Sequence, residues 1–194
     1  PEIGKYHDNA MESKIFNLSE FISKMQTAFQ KILSKSENVI TFETEEDLYI
    51  EANIDSLTHA LVDAILYIIH QSEKLPLINI TVKKISDDIM INISNNGYQE
   101  YNEDYLNKYC NKSKGSSFDI EMYVIKQFCK RFNGRLYLSS GIKGERSIGI
   151  RLPQANGKDM INQQELTTKF TEYFSNRFSP VYIALADVFG FDFF

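Results

Sequence analysis

Apolar positions along residues 118–153 change period once, and that change predicts a compact unit. Phe118, Met122, Ile125, Cys129 and Phe132 recur at three- and four-residue spacing, the signature of one stripe on a helix. Ile120, Val124 and Phe128 widen the stripe past half the circumference, so the helix must lie under something. Asn133-Gly134 ends it, with glycine expected to take the left-handed conformation. Leu136 and Leu138 then alternate with Arg135, Tyr137 and Ser139, which predicts a strand. Gly141 and Gly144 bracket a turn, and Ile148, Ile150 and Leu152 alternate again up to Pro153. The unit is a helix laid across an antiparallel hairpin.

The rest of the chain is read in the same way. Residues 1–16 have weak periodicity and predict a linker or short strand. Asn17 is an N-cap, with Glu20 three residues on. Leu18, Phe21, Ile22, Met25, Phe29, Ile32 and Leu33 form the buried stripe of the helix that follows, which Ser34-Lys35-Ser36 ends. Residues 39–42 and 48–50 predict two short strands around an acidic turn at Glu43–Asp47. Asp55 is expected to open a second helix, with Leu57, Leu61, Ala64, Ile65, Ile68 and Ile69 inward, ending near Ser72. Two strands follow, one with Ile78, Ile80 and Val82 on a face and one with Ile89, Ile91 and Ile93 inward, joined at Ser86-Asp87-Asp88. Residues 98–117 are polar and lack a period over a length that often marks a functional lid. After Pro153 the pattern predicts an amphipathic helix at Gln164–Phe178 carrying Leu166, Phe170, Tyr173 and Phe174. The apolar end, VYIALADVFGFDFF, must bury a face against this domain, another copy or another protein.

Composition narrows the class. A chain of 194 residues that is 43% hydrophobic, with 14 Phe, 11 Tyr and no Trp, has core enough for one ordinary domain. A net charge of −5 argues against a nucleic-acid partner, which draws a concentrated basic face. Two cysteines, Cys110 and Cys129, read as reduced thiols of a cytoplasmic protein. No stretch approaches the ~20 apolar residues of a membrane span, and the start lacks a signal pattern. The chain is also consistent with the cytosolic part of a larger sensor.

Val124-Ile125-Lys126, then Asn133-Gly134-Arg135-Leu136, then Gly144 and a strand ending in Arg151-Leu152-Pro153 resemble the ATP-binding catalytic domain of sensor histidine kinases, of the GHKL ATPase superfamily. The resemblance covers roughly residues 17–153. It implies an α/β (α+β) two-layer sandwich of the Bergerat type: a mixed, mostly antiparallel sheet of about five strands, covered on one face by about three helices. Residues 1–16 then form the linker where dimerisation helices hand over to the domain. Residues 154–194 form a C-terminal helical extension and a candidate homodimer surface over 164–194.

The resemblance also implies where an ATP·Mg site would lie. The family's second helix carries an Asn or acid and, four residues on, an Asn that holds Mg²⁺; these positions are Asp63 and Tyr67 here. Asp63 is the candidate catalytic or metal-holding group, or else a solvated helix residue. Tyr67 is a poor Mg²⁺ ligand, because that ion demands compact hard oxygens. The adenine-binding Asp-x-Gly-x-Gly reads Asn95-Asn96-Gly97-Tyr98-Gln99, which is either a weakened acceptor or a strand-ending turn. The glycine run that lets amides approach phosphates reads Ser117, Phe118, Asp119, Ile120, Glu121. Lys112, Lys114 and Gly115 are a remnant of the lid. Asp119 and Glu121 suit a helix's first turn, but each would cost roughly 1–4 kcal/mol at ~4 Å from a polyphosphate. Two such contacts offset much of the ~8 kcal/mol of a micromolar complex. Gly144-Glu145-Arg146-Ser147 is mainly a structural turn. His7, His59 and His70 lack a phosphoacceptor context.

The expectation is therefore a histidine-kinase-like ATPase domain of a two-component signalling protein with a degenerate nucleotide site and no cofactor. It would act as a docking or regulatory module for a response-regulator receiver domain or for dimerisation helices. The alternative is a divergent but active kinase that uses ATP and Mg.

Overall fold

The computed structural model describes residues 12–32, 40–71, 77–95, 119–141, 145–156 and 163–189. Strands β1 (Lys14–Asn17) and β3 (Tyr49–Ala52) form a small antiparallel sheet. Strands β2 (Ile40–Thr44), β4 (Ile78–Ile85), β5 (Asp88–Asn95), β6 (Arg135–Ser140) and β7 (Arg146–Pro153) form the main sheet, in the order β2-β4-β5-β7-β6. The β2–β4 pair is parallel and the others are antiparallel. The two strands flanking the acidic turn therefore belong to different sheets. The sheets are tied where the chain leaves β7: the Ala155 amide donates to the Tyr49 carbonyl at 2.8 Å.

Helices α1 (Leu18–Ile32), α2 (Ile54–His70) and α3 (Asp119–Arg131) cover one face of the main sheet. The alternating Ile78, Ile80, Val82, Ile89, Ile91, Ile93, Ile148, Ile150 and Leu152 meet them there, all buried in one core. A two-period row on each strand faces a 3.6-period stripe on each helix, and that match puts the helix layer on this face.

Local chemistry sets the ends. Asn17 Oδ1 accepts from the Glu20 amide at 3.1 Å, as its N-cap role requires. For α2 the cap is Asn53, whose Oδ1 accepts from the Ser56 amide at 2.9 Å. Asp55, expected to open this helix, is a first-turn residue instead. Helix α2 also stops at His70, before Ser72. At the end of α3, Asn133 takes the positive φ of 54°. Gly134 has a different task from the one expected of it. A Cβ on Gly134 would stand 2.7 Å from both the Arg151 carbonyl oxygen and Leu152 Cδ2. Its amide reaches back to the Cys129 carbonyl at 2.7 Å, closing the last turn as in a Schellman motif.

Tyr137, read as the outward partner of Leu136 and Leu138, is itself buried on the opposite sheet face, where it hydrogen-bonds Arg151. Cys129 is a free, buried thiol, and burial pushes its pKa up to about 12. Cys110 lies outside the described residues.

The described part of the C-terminal apolar segments joins this same core; residues 190–194 of the apolar end lie outside the described residues. Helix α4 (Gln163–Ser175) packs on α1, and α5 (Pro180–Phe189) packs on α2 and α4. The predicted helix thus ends at Ser175, and Ser179 starts the next one by accepting the Tyr182 amide on Oγ. Phe21 meets Phe170 edge-on at 4.9 Å, Phe29 meets Phe174 at 5.5 Å, and Phe170 stacks on Phe174 at 5.6 Å. Phe178 and Ile183 point outward, at 88% and 45% exposure. No helix among the described residues is long and apolar enough to cross a membrane.

Candidate functional site

Helix α2 is apolar almost all round, as a helix enclosed by other elements must be. Beside Ser56 in the first turn, its exceptions recur at three- and four-residue steps: Asp55, His59, Asp63, Tyr67 and His70 fall outside the buried class and share one stripe. Two different elements meet the two halves of that stripe.

The first half is taken by the C-terminal extension. Lys169 Nζ pairs with Asp55 Oδ2 at 3.2 Å. The Tyr173 ring sits edge-on to His59 with centroids 5.8 Å apart. Burial and the hydrogen bond to Asp55 drive the Tyr173 pKa well above that of an ordinary phenol.

The second half faces the start of α3. His70 Nδ1 lies 3.0 Å from Glu121 Oε1. Asp63 is partly buried, and its pKa is raised from 3.8 to about 6, first by desolvation and second by the charge of Glu121. A carboxylate dehydrated beside another carboxylate holds its proton into the neutral range. Two acids in one partly dehydrated seam attract a cation and disfavour a polyphosphate. Tyr67, between Asp63 and His70 on the stripe, packs its ring against the core.

Asn95 ends β5 and is 4% exposed. Its Oδ1 accepts from the Arg146 amide at 2.5 Å, so that oxygen helps hold the β7 start. Of the predicted site residues, the fold brings Asp63, Tyr67 and Glu121 to the α2–α3 seam and puts Asn95 at the end of a central strand. Asp119 opens α3, with its side chain outside the description. Gly97, Lys112, Lys114 and Gly115, with the predicted lid 98–117, lie outside the described residues. His70 was not among the candidates. The available signal was its place seven residues after Asp63, two helical turns along one face.

The fold defined by this sheet order and helix layer is that of the catalytic ATPase domains of sensor histidine kinases. The catalytic domain of the histidine kinase ThkA superposes with a TM-score of 0.57 at 19% identity, covering 74% of this chain and 97% of that domain. The ATP-binding domain of PrrB from Mycobacterium tuberculosis gives 0.55 at 13% identity, covering 75% of this chain and 99% of that one. ThkA in complex with the response regulator TrrA gives 0.54 at 19% identity, covering 75% of this chain and 43% of that one. No protein-family model and no curated protein matches the sequence.

Proposed function

We propose that this chain is a histidine-kinase-like domain of a two-component system whose nucleotide site has degenerated and which works by docking. In this reading the domain spans residues 17–153 and 154–194 is an extension, of which the described helices α4 and α5 pack on α1 and α2. The observation that carries this reading is the α2–α3 seam. Where the family's Mg²⁺-holding helix meets the helix that cradles phosphates, this chain has Asp63 and Glu121 close enough to raise the Asp63 pKa, with Tyr67 at the ligand position. A triphosphate brought here meets like charge in a partly dehydrated seam. Without ATP chemistry, the remaining capacity of such a domain is recognition. The complex of ThkA with a response regulator supports a receiver domain as the kind of partner, with dimerisation helices of a kinase as the other, in the cytoplasm. The test is titration of ATP·Mg and of ADP·Mg, followed by calorimetry and melting temperature. No response up to millimolar nucleotide is expected; a micromolar dissociation constant overturns the proposal.

The same acidic pair favours one second reading. A divalent cation would relieve the Asp63–Glu121 repulsion, and a Mg²⁺ held there would carry ATP into a working kinase site that also uses Asn95, Gly97, Lys112 and Lys114. Under that reading Asp63→Ala abolishes nucleotide turnover. A homodimer through 164–194 would use the outward Phe178 and Ile183, the exposed large apolar side chains of this segment among the described residues. An unchanged mass in solution for the Phe178→Ser, Ile183→Ser double variant removes that possibility.

A further inference from the structure

The main sheet carries an unusual cross-strand pair far along the chain from Asp63. Arg135 on β6 stands directly opposite Arg151 on β7, so both guanidinium stems leave the same sheet face. Like charges in this register destabilise a ladder. An acid is paired with Arg151 alone: Arg151 Nε donates to Asp88 Oδ2 at 2.6 Å, and Arg151 also hydrogen-bonds Tyr137. Arg135 has no hydrogen-bond or ion-pair partner among the described residues. Among the described residues, two guanidiniums against one carboxylate leave an excess of positive charge at this pair.

A cavity of about 210 Å³ lies at this pair, lined by Asp88, Asn133, Arg135, Arg151, Leu152 and Pro153. Its geometry is held from behind. The contact of Gly134 with the Arg151 carbonyl and Leu152 admits no side chain, so the turn that delivers Arg135 is locked against the strand that carries Arg151. A second cleft of about 340 Å³ adjoins it, sharing Asn133 and Pro153 and adding Ser13, Glu51, Arg131, Phe132, Gln154 and Ala155, so its charged side chains are one acid and one base. Gln154 also keeps a buried Oε1 with no hydrogen-bond partner among the described residues.

We propose that the Arg135–Arg151 cavity is a binding site for a phosphate group, either free or as a small phosphomonoester whose remainder lies in the adjoining cleft. A guanidinium fork takes two oxygens of one anion. Arg151 already gives Nε to Asp88, so the Arg135 fork and the N–H groups Arg151 has left form two donor sets on separate strands, which suit a ligand with at least three oxygens in a tetrahedral arrangement. A carboxylate has two, and the site already holds one carboxylate on a single arm. The inference does not depend on the state of the α2–α3 seam.

The test follows the arginine Nε–H and Gly134 amide resonances of the full chain at low ionic strength. Sodium phosphate and O-phospho-L-serine are titrated separately, with sodium chloride at matched ionic strength as control. Saturable shifts at Arg135, Arg151 and Gly134 are expected with phosphate. A gain of about tenfold with the ester identifies the esterified form, and no gain identifies free phosphate. Arg135→Gln should weaken binding by about tenfold or more while melting no lower than the parent, because it removes one of two like charges. Shifts that rise linearly and match chloride overturn the proposal, as does saturable binding that Arg135→Gln leaves unchanged.

Discussion

Neutralising Asp63 should stabilise the protein, and by an amount that depends on pH in a defined direction. The folded pKa of Asp63 is about 6 against an ordinary 3.8, so the native state holds this proton more tightly than the unfolded chain does. Below pH 3.8 both states are protonated and the site costs nothing. As pH rises from about 4 to about 6 the unfolded chain gains ionisation that the native state resists, and stability is lost. Above about 6 the loss is complete. At 1.36 kcal/mol per pH unit the cost is about 3 kcal/mol at pH 7.5 and about 1 kcal/mol at pH 4.5. Asp63→Asn abolishes both. The amide brings its own packing and hydrogen-bonding cost, but that cost does not vary with pH. The robust quantity is therefore the difference: Asp63→Asn should gain about 2 kcal/mol more at pH 7.5 than at pH 4.5. In a chain of this size that corresponds to roughly 4–8 °C in melting temperature. Urea denaturation at the two pH values measures it, and carboxyl-carbon titration of Asp63 checks the cause. Glu121→Gln should lower the Asp63 pKa toward its ordinary value without restoring it fully, because desolvation is the larger cause. A stability gain equal at both pH values, or an Asp63 that titrates near 4, refutes the argument.

Three further outcomes follow from packing. Phe170→Ala should cost about 3–5 kcal/mol in urea denaturation, since its ring fills the space between Phe21 and Phe174; a loss under about 1 kcal/mol would mean that α4 is not part of the cooperative unit. Gly134→Ala should cost about 1–3 kcal/mol, because its Cβ meets the Arg151 carbonyl and Leu152 at 2.7 Å, and an unchanged denaturation midpoint contradicts that contact. Cys129, buried and with its pKa pushed up to about 12, should react with a disulfide reagent only as fast as the chain opens; rapid native-state labelling at pH 7.5 speaks against its burial.

The sequence alone determined most of the elements and inward faces of residues 14–153, because each rests on short-range periodicity. The isoleucine rows of β4, β5 and β7, the α3 stripe through Ile125 and Cys129, and the Asn17 cap all follow from residues within a few positions of one another. Motif spacing in 118–153 was also enough to suggest the kinase-domain fold. Tertiary structure decided everything that depends on which face meets which. Local pattern could not tell that β2 pairs in parallel with β4 while β3 joins β1, since each strand offers the same backbone groups to any neighbour. Nor could it separate Asn53 from Asp55 as a cap; both are good capping residues, and the entry path of the chain chooses. Asn133 and Gly134 divide the work of one turn because β7 presses against the second of them. The α2 stripe is the clearest case. Asp55, His59, Asp63 and His70 are equivalent polar positions in the sequence, yet α4 meets the first two and Glu121 meets the last two. Desolvation and Coulomb energy depend on distances through space, so the raised pKa of Asp63, and with it the character of the candidate site, arises only when α2 and α3 are laid side by side.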